Sequence, residues 1–174
     1  LPRSRKPTKN LEIILDSSGS MKERLGRQTR WTTALEVLDR VLRKLPDDFN
    51  VGLRLYGHRE SSRSPNTCTD SELLVPIGKL DRSRILNAAR AWRPKGETPL
   101  VYSVLQTPAD LKDVGGGAVI LITDGEESCK GDLKAAVRAV IGAGRPDEGL
   151  VPDVLERTYG SPMDVLEHGG MRVV

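Results

Sequence analysis

The segment Leu11-Glu12-Ile13-Ile14-Leu15-Asp16-Ser17-Ser18-Gly19-Ser20-Met21 has the form of a strand that runs into a turn. Its first half is an almost uninterrupted apolar run of strand length, the pattern of a strand buried in a sheet. Its second half sends Asp16, Ser18 and Ser20, one carboxylate and two hydroxyls at alternate positions, into a glycine-containing turn. Oxygen donors with little formal charge suit a hard cation such as Mg²⁺, which keeps some of its waters and leaves room for a further oxygen. The plainer alternative is a solvated Asp-Ser turn, since Asp, Ser and Gly are ordinary turn formers.

Outward from this segment, strand and helix patterns alternate. A polar loop leads into Trp31 to Leu45, where Leu35, Leu38, Leu42 and Leu45 recur at helical spacing until Pro46-Asp47-Asp48 closes the helix. Val51, Leu53 and Leu55 alternate in a second strand that ends at Tyr56-Gly57, and Glu72 to Ile77 form a third, bounded by Gly78. Asp81 is an N-cap for a helix with Ile85, Ala88, Ala89 and Trp92 on one face. Thr98-Pro99 opens another, with Thr98 as N-cap and Pro99 in the first helical position, and Pro108 should kink or end it. Gly117 to Thr123 reads as a strand buried on both faces, and Leu133, Ala136, Val137, Val140 and Ile141 mark a last helix. This order predicts an α/β domain with a mostly parallel sheet. After Gly142 the pattern weakens: Leu150 to Tyr159 reads as a fifth strand interrupted by Pro152 and charges, Met163 to His168 as a short helical turn, and Met171 to Val174 as a final strand.

A chain of 174 residues can bury one sizeable core, and no low-complexity linker divides its interior. Residues 1–10 read as a basic N-terminal tail or linker, and 11–174 as the domain, atypical or truncated from about residue 145. Starting at Leu1, the chain is expected to be an excised domain whose upstream sequence, a signal peptide or anchor included, has been removed. No run approaches 18 apolar residues, so the segment is expected to be soluble, with no direct membrane insertion. Of 27 basic and 24 acidic residues, a net +3, much of the excess is Arg3, Arg5, Lys6 and Lys9 in the tail. Aromatic residues form no stripe with the basic ones, which argues against nucleic-acid binding.

In a parallel α/β sheet, ligand sites lie beyond the carboxyl ends of the strands. Asp16 leaves the first strand there, and Asp124 leaves the Gly117–Thr123 strand at the same edge. If those strands are neighbours, two carboxylates converge with Ser18, Ser20 and the Thr98 hydroxyl around one ion. Two like charges placed together are costly without a cation, and a divalent metal removes that cost.

Asp16-x-Ser18-x-Ser20, Glu97-Thr98-Pro99 and Thr123-Asp124-Gly125, in that order, resemble the metal-ion-dependent adhesion site of von Willebrand factor type A domains, over about residues 10 to 145. Likeness to bacterial members is carried by Tyr56-Gly57-His58-Arg59, Leu73-Leu74-Val75 and Asp124-Gly125-Glu126-Glu127-Ser128. The resemblance implies a doubly wound, six-stranded sheet in the order 3-2-1-4-5-6, with the third strand antiparallel. It implies Mg²⁺, for which Mn²⁺ or Ca²⁺ can substitute. Ser18 and Ser20 would bind it through their hydroxyls, Thr98 directly or through water, and Asp16 and Asp124 mostly through waters. A partner's acidic side chain would take the remaining position, and Gly19 and Gly125 would permit tight turns. The last third of the chain departs from the family pattern, and the terminal helix that switches affinity in integrin-type members is not recognisable.

On that topology Cys68 and Cys129 share the sheet edge that carries the site. A disulfide between them would contribute roughly 4 kcal/mol and brace the rim in an oxidising compartment. The alternatives are two unpaired thiols, or a zinc site completed by His58 that lacks the short paired spacing of such sites. His58 is expected as a hydrogen-bonded rim residue, and Trp31 and Trp92 as helix-face core residues. There is no G-x-S-x-G elbow for a Ser-His-Asp hydrolase, and neither Gly115-Gly116-Gly117 nor Gly142-Ala143-Gly144 fits a phosphate-binding fingerprint.

These readings together imply a monomeric, non-enzymatic, Mg²⁺-dependent adhesion or assembly module of a bacterial cell-envelope, periplasmic or secreted protein. Its specificity would come chiefly from loops 21–30 and 57–70. An alternative is an intracellular type A domain that works with an AAA-type ATPase in metal insertion or cofactor maturation. More distant is a Mg²⁺-dependent hydrolase or phosphotransferase with Asp16 as nucleophile, against which Ser18 stands where such enzymes carry a second acid.

Overall fold

Every residue of β1 (Asn10–Asp16) is buried. A computed structural model of the chain describes residues 9–125, 127–143, 166–168 and 171–173. After β1 come a hairpin of β2 (Arg24–Leu25) and β3 (Gln28–Thr29), then α1 (Arg30–Lys44), β4 (Asn50–Tyr56), β5 (Ser71–Lys79), α2 (Arg82–Arg90), α3 (Leu100–Lys112), β6 (Ala118–Ile122) and α4 (Leu133–Ala143). Two three-residue strands, β7 (Leu166–His168) and β8 (Met171–Val173), follow. The burial of β1 comes from its central place: it pairs in parallel with β4 on one side and β6 on the other, and β5 runs antiparallel along the outer edge of β4. This gives the order β5-β4-β1-β6, the 3-2-1-4 part of the order the resemblance implies, with β8 and then β7 beyond β6. The last two strands therefore stand as 6-5 rather than 5-6, and the outermost, β7, is also antiparallel. β8 joins β6 through the single pair Val119–Val173.

Strand alternation explains the two faces. Leu11, Ile13 and Leu15 of β1, with Val51, Leu53 and Leu55 of β4, pack against Leu38, Val41 and Leu42 of α1 and Ile85 and Ala89 of α2. Ile14 and Tyr56 point the other way, into Leu100, Val104 and Leu111 of α3 and Val137 and Val140 of α4. The fold is therefore an α/β sandwich with a mostly parallel sheet flanked by helices, as the element order predicts.

The α3 face also buries charge. Arg54 Nε donates to Glu12 Oε1 and to Asp110 Oδ2, each at 3.1 Å, and its Nη1 donates to Ser71 Oγ at 3.0 Å. Glu12 has no exposed surface, and its Oε2 lacks a partner. Burial above all, and then the charge of Asp110, pushes the Glu12 carboxyl up to about 8, against the pull of Arg54.

Several expectations need correction. Asn10 belongs to the sheet rather than the tail, because its side-chain amide donates to the carbonyls of Val114 and Gly116, both at 2.8 Å. The loop before α1 contains the β2–β3 hairpin, turned by Gly26 at φ +65°. Pro108 does not end α3, which continues to Lys112: the Thr107 hydroxyl donates at 2.8 Å to the Val104 carbonyl that a residue-108 amide would otherwise have served. Leu166–His168 is a strand antiparallel to β8 and not helical, in keeping with the two glycines that separate them in sequence. The strand expected at Leu150 to Tyr159 lies outside the described residues.

Candidate metal centre

The parallel strands bring their carboxyl ends to one edge, and Asp16 sits there with no exposed surface. Its Oδ1 accepts from the Ser18 amide at 2.8 Å and its Oδ2 from the Thr123 hydroxyl at 2.7 Å. Thr123 is itself fixed by the Tyr56 hydroxyl, which donates to it at 3.1 Å. The Ser18 and Ser20 hydroxyls are 3.1 Å apart, and Ser20 Oγ donates to Asp124 Oδ1 at 3.3 Å. The condition set by the sequence, that the strands carrying Asp16 and Asp124 be neighbours, is met by the β1–β6 pairing. Buried Thr98 lines an open cleft of about 500 Å³ together with Ser18, Ser20 and Asp124.

Burial holds the Asp16 carboxyl above its usual range, although its hydrogen bonds from Ser18 and Thr123 pull the other way. A carboxylate in that setting favours a nearby cation. The gathered donors are hydroxyl and carboxylate oxygens, and among the described residues no three His, Cys, Asp or Glu come together. Such a set fits a hard, oxygen-seeking ion and not zinc. Arg30, which the sequence reading passed over, donates from Nη1 to Asp124 Oδ2 at 2.7 Å.

The Ser17–Ser20 turn is held from below. Gly19 donates to the Gly96 carbonyl at 2.8 Å, Lys95 to the Ser17 carbonyl at 3.1 Å, and Gly96 to the Gly57 carbonyl at 2.8 Å. Gly57 has φ +70°, and a Cβ there would meet Glu97 O at 2.6 Å and Ser18 Cα at 2.9 Å; one on Gly96 would meet Glu60 O at 2.6 Å. These two glycines, and not Gly19 and Gly125, are the ones the backbone requires. A Cβ on Gly19 would come no closer than 3.4 Å to its neighbours, and one on Gly125 would meet nothing within 4 Å.

Thr98 is not the N-cap of α3, which starts at Leu100 with Pro99 in the cap position. Glu127 takes over capping: its Oε2 accepts from the Val101 amide at 2.6 Å and its Oε1 from the Cys129 amide at 2.7 Å. The Thr98 amide donates to Ser128 Oγ at 2.8 Å. The Cys68–Cys129 disulfide, expected from the topology, ties the 57–70 loop to this segment and leaves no thiolate for a zinc site. His58 departs from expectation. It is buried edge-on to Trp92, with ring centroids 4.5 Å apart, and neither ring nitrogen makes a well-formed hydrogen bond: Nε2 lies 3.5 Å from Glu72 Oε2 and Nδ1 4.0 Å from Asp70 Oδ1. Asp70, the farther of the two acids, is engaged by the amides of Arg59 and Glu60 and by the Arg59 side chain. Burial lowers the His58 pKa and favours the neutral ring.

With this geometry in view, comparison with known proteins is specific. Residues 11–127, spanning β1 to the segment after β6, match the family model of the von Willebrand factor type A domain. The chain belongs to that family. This type A domain is 28% identical over 134 residues to the uncharacterized protein YwmD of Bacillus subtilis, covering 74% of the chain and 60% of YwmD. The chain thus spans less than two thirds of the length of that relative. In fold it is similar to a von Willebrand factor type A protein from Catenulispora acidiphila, with a TM-score of 0.61 and 18% identity, over 96% of this chain and 39% of that one. It is also similar to the pilus adhesin SpaC of Lactobacillus rhamnosus GG, with a TM-score of 0.54 and 23% identity, over 72% of this chain and 16% of the adhesin.

Proposed function

We propose that this type A domain is a non-enzymatic, divalent-cation-dependent binding module of a bacterial envelope or secreted protein, built around a metal-ion-dependent adhesion site. The observation that carries the proposal is the convergence of Asp16, Ser18, Ser20 and Asp124 at one sheet edge, linked by contacts of 2.8 to 3.3 Å, with Ser18, Ser20 and Asp124 open to a cleft that Thr98 also lines and Asp16 buried behind them. Those five residues would hold Mg²⁺, with Mn²⁺ or Ca²⁺ as substitutes. When bound, the ion supplies an electrophilic position for a carboxylate oxygen from another protein. The chain's own part is to hold the turn rigidly through Gly57 and Gly96 and to keep Asp16 oriented through Ser18 and Thr123. Arg30 and Ser62 line the cleft, and the segments 21–30 and 57–70 to which they belong would set specificity.

Two observations favour this reading over its rivals. Asp16 is fully buried with both oxygens hydrogen-bonded, a poor arrangement for a nucleophile. The disulfide suits an oxidising compartment better than the cytosol, where a partner of an AAA-type ATPase would work. Among the described residues no helix is long and apolar enough to cross a membrane. We take residues 10–174 as one monomeric domain whose sheet reaches six strands. The test is a pull-down from the source organism's envelope fraction in Mg²⁺ or in EDTA, paired with calorimetric Mg²⁺ titration of Asp124→Ala. Partners retained only in Mg²⁺, and a titration signal lost in the variant, support the proposal; the same partners under both conditions refute metal-dependent capture.

A further inference from the structure

Asp124 already has a cation against it. Arg30 Nη1 lies 2.7 Å from Asp124 Oδ2 and 3.0 Å from Glu23 Oε2, and the Arg30 amide donates to the Glu23 carbonyl at 2.9 Å. The other Asp124 oxygen faces Ser20. Asp124 is therefore shared between the hydroxyl cluster and a guanidinium, and Arg30 lines the same cleft as Ser18, Ser20 and Thr98. Asp16, in contrast, is contacted by neutral donors, the Ser18 amide and the Thr123 hydroxyl. The position of Arg30 is well suited to a tuning role: its side chain is 33% exposed, that of Asp124 12%, and that of Glu23 63%. Solvent screens Glu23 most, so the positive charge of Arg30 is felt mainly on the Asp124 side.

We infer that Arg30 is a positioning residue of the metal centre, competing with the divalent cation for Asp124 and leaving the loaded centre positive enough to take an anionic ligand. This rests on the metal-centre reading above. Asp16 and Asp124 carry two negative charges, which a divalent ion would just neutralise; Arg30 tips the balance by one positive charge. It thus weakens cation binding and strengthens carboxylate binding. A merely structural role would lower both when removed.

The experiment uses the full chain with Mn²⁺ as the metal probe, read by water-proton relaxation, and glutarate as the carboxylate probe on the Mn²⁺-saturated protein. Arg30→Gln should bind Mn²⁺ about three- to tenfold more tightly and need about three- to tenfold more glutarate, the scale expected for one partly screened charge. Arg30→Lys, which keeps the charge, should stay near wild type on both readings. Glu23→Gln, which frees Arg30 for Asp124, should weaken Mn²⁺ binding by roughly twofold. Unchanged or weaker Mn²⁺ binding in Arg30→Gln, an unchanged glutarate requirement, or tighter Mn²⁺ binding in Glu23→Gln overturns the inference while leaving the metal centre standing. A wild-type chain that binds no Mn²⁺ removes the metal centre and this inference together.

Discussion

At neutral pH the buried carboxyl of Glu12 should carry a proton, and replacing it with glutamine should remove most of a pH dependence of stability. Glu12 on β1 and Asp110 on α3 both face the one guanidinium of Arg54 on β4, with Ser71 of β5 completing the cluster. Two carboxylates cannot both be neutralised by one arginine, and the fully buried one yields. Its folded pKa of about 8 stands above the ordinary 4.5. The sign follows directly. Below 4.5 the folded and unfolded chains both hold the proton; between 4.5 and 8 only the folded chain does, so stability falls as pH rises; above 8 the loss is complete. At about 1.4 kcal/mol per pH unit, raising the pH from 5 to 8 should cost about 4 kcal/mol through this residue. Glu12→Gln keeps the shape and has no proton to lose. Urea unfolding in EDTA, followed by tryptophan fluorescence at pH 5, 6.5 and 8, should show the variant gaining on wild type by about 4 kcal/mol across that range. Parallel stability curves, or a variant less stable than wild type at pH 8, would refute the assignment of the proton to Glu12.

Other perturbations follow from the same geometry. Gly57→Ala combines a positive φ with a backbone clash beneath Ser18, and should lower stability by about 1–3 kcal/mol and weaken Mg²⁺ binding, whereas Gly125→Ala should leave stability within about 0.5 kcal/mol; thermal unfolding and calorimetry check both. Thr107→Val keeps the volume but strips the donor from the Val104 carbonyl beside Pro108, and should cost about 1–2 kcal/mol in urea unfolding. Removing the disulfide by Cys68→Ser with Cys129→Ser, a link across a sequence separation of 61, should cost about 4 kcal/mol on the chain-entropy estimate. A loss below about 1 kcal/mol would show that the 57–70 loop is held instead by Asp70 and by Thr67, whose hydroxyl oxygen accepts from the Glu97 amide at 3.0 Å.

The sequence by itself determined whatever depends on near neighbours along the chain. The apolar run of β1, the helical spacing of α1 and α4, the Asp81 cap, which accepts from the Arg84 amide at 2.9 Å, and the Asp16-Ser18-Ser20 turn each involve only a few consecutive residues. Their chemistry is local, so periodicity and turn propensity expose it. The disulfide was legible only through the inferred topology, because no spacing pairs Cys68 with Cys129. Tertiary structure alone decided which charges and glycines matter. Arg30 looks like any basic residue at a helix start until β6 sets Asp124 beside it. Gly57 and Gly96 look no more constrained than Gly125 until the Ser18 backbone and the Glu60 carbonyl fill the space where a Cβ would stand. Glu127 caps a helix that begins 27 positions before it, and Glu12 becomes a proton-holding acid only when α3 lowers Asp110 onto Arg54. The physical reason is common to all of these: burial, electrostatic pairing and steric exclusion depend on distances in space, which sequence separation does not encode.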